Sequence, residues 1–199
     1  ESLLTDLPNA LTISRDPGTG RLYYRASLNV IQPVSQAAPF NQGVGVSRVY
    51  YDGDAVCAGQ DCSPIDTATV GDLVTVRVTI NLAHDMHYLQ VEDYIPAGTE
   101  VLDVNLNTSQ LGAAQQEQNY DPLEPLANGW GWWYFGVPKV YDDHITWMGE
   151  LLPAGTYELT YTLVVLQPGQ FQVIPARAYQ LYFPEVQGVS AGDVFTVAP

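Results

Sequence analysis

Lysine is almost absent from this chain of 199 residues, which carries Lys139 and no other lysine. Lys and Arg together number 7 against 22 Asp and Glu, so the formal net charge is -15. A surface of this charge repels phosphate backbones and anionic lipids. The composition therefore argues against nucleic-acid partners and against electrostatic attachment to a membrane surface.

Long apolar runs are missing as well. No stretch approaches the roughly 18 consecutive apolar residues that a membrane-spanning helix needs. The opening residues, ESLLTDLPNA, lack the basic region and the apolar stretch of a secretion signal. This start is typical of an internal segment, so we expect the chain to be a fragment of a much larger protein.

Cysteine is limited to Cys57 and Cys62, in the stretch CAGQDC. The short Gly- and Asp-rich spacing allows a small disulfide loop. Residues 57–60, CAGQ, also show the Cys–Gln spacing of an internal thioester, but that bond needs a buried, water-poor helical site. The polar surroundings and the second cysteine favour the disulfide. With the low lysine content, this predicts an extracytoplasmic protein: periplasmic, at the cell surface or secreted.

Helical periodicity is weak throughout, and only residues 112–118, GAAQQEQ, favour one or two helical turns. Strict alternation of apolar and polar residues is present instead, over residues 73–80 and 156–165. A period of two predicts half-buried antiparallel strands. The other predicted strands cover residues 21–30, 44–51, 89–93, 99–106, 144–151, 170–174, 176–183 and 193–197.

Turn signals rich in Pro and Gly separate these strands, for example IPAG at 95–98 and LPAG at 152–155. The pattern predicts an all-β, antiparallel β-sandwich with at most one short helix. We expect a single domain over residues 1–199. Two irregular insertions, 52–69 and 107–140, interrupt the strand pattern.

Catalytic patterns fail on inspection. GVSAG at 188–192 matches G-x-S-x-G, but no histidine follows Ser190 and a strand rather than a helix follows, so we interpret it as a turn. In YDDH, 141–144, the adjacent acids would point apart on a strand, which argues against a catalytic pair, and we interpret the stretch as a tight turn before a strand. Nothing assembles a nucleophile, a base and an oxyanion site, so the sequence predicts no enzyme, no catalytic residue and no cofactor.

Metal-binding patterns are equally incomplete. His84 and His87 lie three apart around Asp85, without evident third and fourth ligands. The stretch from Asp52 begins like a calcium loop but lacks the Gly at loop position 6 and the Glu at position 12. We therefore predict no metal site.

The stretch GWGWWYF, 129–135, concentrates three of the four tryptophans. An exposed cluster of Trp130, Trp132 and Trp133 would form a stacking platform for a sugar or a contact surface for a protein partner. Alternatively, a strand would bury Trp130, Trp132 and Tyr134 on one side. We predict partial burial with at least one aromatic side chain left at the surface.

Taken in order, these elements resemble the last macroglobulin-like domain of bacterial alpha-2-macroglobulins, the equivalent of the receptor-binding domain of eukaryotic relatives. The resemblance rests on GRLYYRASLNV, GVSRVYYD, VGDLVTVRVTI, VEDYIPAG, LPAGTYELTY and above all GQFQVIPARAYQLYFPEVQG. It extends from about Leu11 to Val197. The two insertions match the family poorly, so the family suggests no role for the tryptophan cluster.

The resemblance implies a domain of a protease trap, whose partners are the thioester and macroglobulin-like domains of the same parent chain and the proteases that the parent captures. Membrane attachment would depend on an anchor elsewhere in the parent. In similar bacterial proteins a Met-Tyr pair on a loop shields the thioester from water, and the corresponding residues here are Leu181 and Tyr182. Leucine keeps the apolar bulk of Met but not its polarizable sulfur.

Two alternatives stay open on the sequence alone. Leu181 and Tyr182 could simply complete a core strand, although alternation would place them on opposite faces. The chain could also be a stand-alone adhesion or carbohydrate-binding sandwich that uses Trp130, Trp132 and Trp133, or a cell-envelope module without a ligand.

Overall fold

The computed structural model describes residue 10 and residues 12–25, 33–53, 62–102 and 129–199. The chain divides into two compact units, residues 1–31 and residues 32–199. In the first unit the described residues form no strand or helix, and the guanidinium of Arg15 donates to the carbonyls of Gly18 and Gly20. The strand predicted over 21–30 is wrong for residues 21–25, because an apolar pattern needs a neighbouring strand to form a ladder. Residues 26–30 lie outside the described residues.

The second unit contains the strands of the described residues. In chain order they are β1 (Phe40–Gln42), β2 (Val44–Asp52), β3 (Thr67–Thr69), β4 (Leu73–Leu82), β5 (Met86–Tyr94), β6 (Thr99–Val101), β7 (Lys139–Val140), β8 (His144–Leu152), β9 (Gly155–Val165), β10 (Gly169–Val173), β11 (Arg177–Gln180), β12 (Gln187–Val189) and β13 (Asp193–Ala198). Two short 3-10 turns cover Val34–Gln36 and Trp132–Tyr134.

These strands form three sheets. The six-stranded sheet has the order β1-β12-β11-β5-β8-β7, the four-stranded sheet β2-β4-β9-β6, and the three-stranded sheet β10-β13-β3. The described ladders between strands are antiparallel, except that β13 and β3 run parallel. The prediction of an all-β, antiparallel β-sandwich is confirmed.

The core is built from the alternating residues of the long strands. On β4, Val74, Val76, Val78 and Ile80 are fully buried, and β4 pairs along its whole length with β2 and β9. Each such side chain contributes roughly 1.5–3 kcal/mol through burial. The inward residues of all three sheets join one continuous buried cluster.

A charged cluster lies inside this core. Arg48, on β2, forms salt bridges of 2.7 Å with Asp93 on β5 and of 2.7 Å with Asp193 on β13. Its guanidinium also donates to the carbonyls of Tyr94 and Ile174. The Tyr161 hydroxyl donates to the second Asp93 oxygen at 2.7 Å. One arginine thereby connects strands from all three sheets.

The electrostatics of the cluster follow from burial and pairing. Burial raises the pKa of Asp93, against the opposing effect of the Arg48 charge and the Tyr161 hydrogen bond. For Arg48, burial alone would lower the pKa, but the charge of Asp93 and the contacts with Asp193 outweigh it and raise that pKa. The arginine is therefore charged, and its removal leaves the buried carboxylate of Asp93 without its ionic partner.

The structure corrects several predicted boundaries. The strand predicted over 176–183 ends at Gln180, and Leu181, Tyr182 and Phe183 lie in the following loop. The short strands β1, β3, β7 and β12 were not predicted, because two or three residues are too few to show alternation. The helical turns predicted over 112–118 lie outside the described residues, as do residues 103–106 of the strand predicted over 99–106.

Candidate functional site

Within the described residues of the second unit, the loop between β11 and β12 carries the longest run of exposed large apolar side chains. The Gln180 N–H donates to the Val186 carbonyl at 3.0 Å, and the Val186 N–H donates to the Phe183 carbonyl at 2.8 Å. Residues 183–186 thus close a β-turn with Pro184 at its second position, where the fixed φ of proline fits. These bonds give the loop a defined shape.

Three consecutive apolar side chains at this loop face solvent, and we refer to Leu181, Tyr182 and Phe183 as the tip. Their exposed fractions are 43%, 67% and 59%. Val186, on the other side of the turn, packs against the core. The hairpin therefore buries its base and exposes its tip, which disagrees with the alternative that Leu181 and Tyr182 complete a core strand.

The base of the hairpin is fixed to the sheet by polar and aromatic contacts. The Tyr179 hydroxyl donates to Glu92 on β5 at 2.8 Å, and the Arg177 guanidinium lies 4.3 Å from the centre of the Tyr179 ring. Burial, followed by the bond to Glu92, raises the pKa of Tyr179 to about 12. The Gln90 amide donates to the same Glu92 oxygen at 2.7 Å. These contacts hold the strand that leads into the tip on β5.

Tyr88, on β5, contacts the tip directly and was not singled out by the sequence. The Leu181 N–H donates to its carbonyl at 2.9 Å, and the Tyr88 and Tyr182 rings meet edge to face at 5.3 Å and 90°. A sequence signal existed: Met86 and Leu89 are both apolar although they lie three apart, which breaks the alternation of the strand. Such a break indicates an irregular residue between them.

The tryptophan cluster forms a rigid turn rather than a strand. Gly129 and Gly131 have φ values of 94° and 77°, and a Cβ atom at either position would collide with β9. Trp132–Tyr134 form a 3-10 turn, and the Trp130 carbonyl accepts from the Glu158 N–H at 2.8 Å. The two glycines therefore press this turn onto the four-stranded sheet.

The burial within this turn differs from the strand alternative. Trp130 and Trp133 are 55% and 44% exposed and meet edge to face at 5.5 Å, whereas Trp132 is half-buried and Phe135 is buried. The expected partial burial is correct, but the alternating pattern is wrong because a 3-10 turn has no period of two. A partly open pocket of about 280 Å³ is lined by Trp132, Phe135 and Trp147 among others, and Thr160 is its one polar lining residue among the described residues.

The comparisons with known proteins follow this geometry. Residues 43–185 match the family model described as the bacterial alpha-2-macroglobulin MG10 domain. The chain belongs to this family. The matched segment begins just before β2 and ends within the loop that carries the tip, so it includes Arg48, Asp93, Tyr88, Leu181 and Tyr182 but not Asp193.

Individual relatives agree with the assignment to the MG10 family. An alpha-2-macroglobulin homolog from Nostoc sp. is 25% identical over 91% of this chain and 9% of its own length. Alpha-2-macroglobulin from Escherichia coli activated by porcine elastase shares the fold with a TM-score of 0.64 and 22% identity, over 81% of this chain and 14% of that one. The Salmonella alpha-2-macroglobulin reacted with methylamine gives a TM-score of 0.59 and 21% identity, over 82% and 10%. The chain thus spans about a tenth of the length of these relatives.

In this MG10 domain, the G-x-S-x-G stretch is a packing element. Gly188 lies in β12 against the Val44 carbonyl, and Gly192 lies against the Val34 carbonyl, so a Cβ atom at either position would collide with backbone. Ser190 is 2% exposed, and its hydroxyl accepts from the Ala176 N–H and donates to the Ala191 carbonyl. The interpretation as a turn is wrong for Gly188 and Val189, which are strand residues. By contrast, YDDH is a turn before β8, closed by the Tyr141 N–H on the His144 carbonyl.

Of the residues weighed as metal ligands, Asp85 has another partner in the structure. Asp85 accepts a hydrogen bond from the Ala154 N–H at 2.8 Å. Within the described ranges, no three His, Cys, Asp or Glu side chains are grouped so that they could hold a metal ion. The described part of the chain also contains no helix long and apolar enough to cross a membrane.

The proposed disulfide between Cys57 and Cys62 stays a prediction, because Cys57 lies outside the described residues. We expect the denatured, unreduced chain to give no reaction with a thiol reagent, and to react at both cysteines after reduction. Mass spectrometry should show a gain of two hydrogens on reduction. Reaction before reduction at both residues would contradict the pairing. The variant that lacks both cysteines is the matched control for reagent background.

Proposed function

We propose that this MG10 domain is a non-catalytic domain of an alpha-2-macroglobulin-like protease inhibitor, in which Leu181 and Tyr182 cover the thioester of another domain of the same parent chain. The observation that carries the proposal is the tip: three consecutive large apolar residues, exposed on a loop of defined shape. Contiguous exposed apolar residues mark surfaces that other proteins or domains cover. Membership of the MG10 family supports an alpha-2-macroglobulin-like protein as the parent.

The side chains of the tip suit such a cover. A thioester is lost when water attacks its carbonyl carbon, so its neighbours must exclude water. The Tyr182 ring, 67% exposed in this chain, supplies a broad apolar face together with a hydroxyl that can hydrogen-bond at the edge of a contact. Leu181, at the place of a Met in similar proteins, fills space without sulfur.

The remaining parts of the proposal concern the parent protein. Its partners would be its own thioester and macroglobulin-like domains and the proteases that it traps. The alpha-2-macroglobulin of Escherichia coli is activated by porcine elastase. We place the parent outside the cytoplasm, in the periplasm, at the cell surface or secreted, with any membrane anchor elsewhere in the parent. The domain would act by packing and shielding, not by catalysis.

The test uses the intact parent and methylamine. The amine nitrogen attacks the thioester carbonyl, the carbon–sulfur bond breaks, an N-methyl amide forms, and the cysteine leaves as a thiol that takes up the proton. Tyr182→Gly should accelerate thiol release roughly tenfold to a hundredfold, since burying a large apolar side chain is worth about 1.5–3 kcal/mol. Thiol titration over time, with intact mass in parallel, gives the rate.

Tyr141→Gly is the matched control, because Tyr141 is also an exposed tyrosine of the same unit but lies outside the tip. Its rate should equal that of the wild type. If the wild-type parent releases thiol and Tyr182→Gly does so at the same rate, the shielding role is wrong. A parent that releases no thiol and gains no mass contains no thioester for this domain to cover.

A further inference from the structure

Tyr88 has an unusual backbone for a tyrosine. Its φ is 53°, the one positive value among the described residues that are not glycine. This left-handed region is unfavourable for a residue with a bulky side chain, because the Cβ atom approaches the carbonyl oxygen. Residues held in such conformations persist where the surrounding structure fixes them, and they cluster at functional positions.

From this backbone conformation and from the contacts of Tyr88 with Leu181 and Tyr182, we propose that Tyr88 is a positioning residue for the tip. It holds Tyr182 in the orientation needed to cover a neighbouring surface. The proposal rests on the proposed function and adds a residue from a different strand to it. Tyr88 itself need not contact the thioester.

The backbone of Tyr88 fixes the start of the tip. The last β5–β11 pair is Leu89 with Gln180, and Leu181, the first residue after β11, donates its N–H to the Tyr88 carbonyl at 2.9 Å. The Gln180 side-chain amide adds a longer bond of 3.4 Å to the His87 carbonyl. The ladder thus continues past the end of the strand because the left-handed residue directs its carbonyl toward the loop.

The left-handed residue also changes which face of β5 its neighbours occupy. Met86 and Leu89 are both buried although they lie three apart, and Gly149 and Leu152 on the paired strand β8 show the same spacing. The alternation of buried and exposed residues is therefore shifted by one residue in both strands at the level of Tyr88. Since Leu89 continues the inward set, Tyr88 is left on the exposed side, where it reaches the tip.

The ring of Tyr88 supports the ring of Tyr182. The ring centres lie 5.3 Å apart with an interplanar angle of 90°, the edge-to-face geometry that aromatic pairs prefer. Tyr182 is 67% exposed and Tyr88 is 43% exposed, so few other side chains restrain them. Without the Tyr88 ring, Tyr182 would sample more rotamers, and fewer of them would cover a partner.

The test compares Tyr88→Gly, Tyr88→Phe and Tyr182→Gly in the intact parent by the rate of methylamine-induced thiol release. Glycine adopts φ near 53° without strain and keeps the carbonyl, so Tyr88→Gly removes the ring alone. We expect Tyr88→Gly to react about 3- to 10-fold faster than wild type, as the loss of an aromatic pair predicts. Tyr88→Phe keeps the ring edge and should react at the wild-type rate.

Thermal unfolding separates this role from general destabilisation. Because Tyr88→Gly relieves an unfavourable backbone, its melting temperature should be equal to or above that of wild type, while its thiol release is faster. In the isolated chain, the NMR signals of the Tyr182 ring should move toward those of an unstructured tyrosine in Tyr88→Gly and stay in place in Tyr88→Phe.

The outcomes distinguish the two proposals. Faster release in Tyr182→Gly but not in Tyr88→Gly overturns the positioning role and leaves the shielding role intact. No change in Tyr182→Gly, or a parent without a thioester, overturns the proposed function and with it the role of Tyr88 in shielding. Faster release in Tyr88→Gly accompanied by a large fall in melting temperature would indicate general unfolding and also contradicts the positioning role.

Discussion

Arg48→Met should lower the free energy of unfolding by about 3–5 kcal/mol, the range measured when one partner of a buried ion pair is removed. The reason is the position of Asp93, which is fully buried and 2.7 Å from the guanidinium. Methionine fills much of the space but donates no hydrogen bond. Chemical denaturation followed by tryptophan fluorescence measures the change.

Two further variants make this prediction specific. Asp93→Asn in the Arg48→Met background should recover part of the loss, because it removes the charge that has no partner. Lys139→Met is the control for loss of a positive charge, since Lys139 is exposed on a two-residue strand, and it should change the free energy by less than about 0.5 kcal/mol. Equal effects of Arg48→Met and Lys139→Met would show that the cluster does not stabilise the fold.

The pH dependence of Arg48→Met follows from linkage. Burial already raises the pKa of Asp93 in the wild type, and loss of the arginine raises it further. The folded variant then binds a proton that the unfolded chain does not, so its stability increases as the pH falls. The difference in unfolding free energy between wild type and variant should therefore narrow toward acid pH, and a constant or widening difference would contradict this account.

Gly188→Ala should destabilise the domain by about 3 kcal/mol or more, the upper range for forcing extra atoms into a packed core. Gly188 is a buried residue of β12, paired with Ala178 on β11 and Asn41 on β1. A Cβ atom at this position would collide with the backbone carbonyl of Val44 on β2. Relieving this collision would require the packed strands β12 and β2 to move apart.

Gly136→Ala is the matched control for Gly188→Ala. A Cβ atom added at Gly136 would lie 3.8 Å from its nearest neighbour, the Met148 carbonyl oxygen, which is an ordinary contact distance. The φ of Gly136 is not in the left-handed region. The melting temperature of this variant should match that of wild type. If Gly188→Ala unfolds at the same temperature as Gly136→Ala, the close packing of β12 on β2 is not required for the fold.

The long strands were predictable because their side chains have a simple environment. In β4, Val74, Val76, Val78 and Ile80 face one continuous core, so burial imposes a period of two on the sequence. The short strand β12 carries no such pattern. Glycine is needed at position 188 because the Val44 carbonyl on β2 leaves no room for a Cβ atom, and only the tertiary structure shows this contact.

The candidate site was predictable only in part. Leu181 and Tyr182 were identified through a family resemblance, whereas the alternation of the strand gave no reason for the loop to begin at Leu181. Tyr88 lies more than ninety residues away in sequence, and its role depends on a backbone conformation that tyrosine rarely adopts. The alternation of β2 does indicate Arg48, because it occupies the same alternate positions as Val44, Val46 and Tyr50 and so places a charge on the inward face of the strand.

Strand β5 contacts both the Arg48 cluster and the tip. β5 is an inner strand of the six-stranded sheet, with Asp93 bound to Arg48 near one end and Tyr88 bound to Leu181 near the other. Tyr88 and Asp93 are five residue steps apart along the strand, a distance of about 17 Å. Because β5 is paired with β8 on one side and β11 on the other, it forms a rigid connection between the Arg48 cluster and the tip. Any displacement of β5 as a rigid strand at Asp93 would therefore also displace the Tyr88 carbonyl that holds Leu181 at the start of the tip.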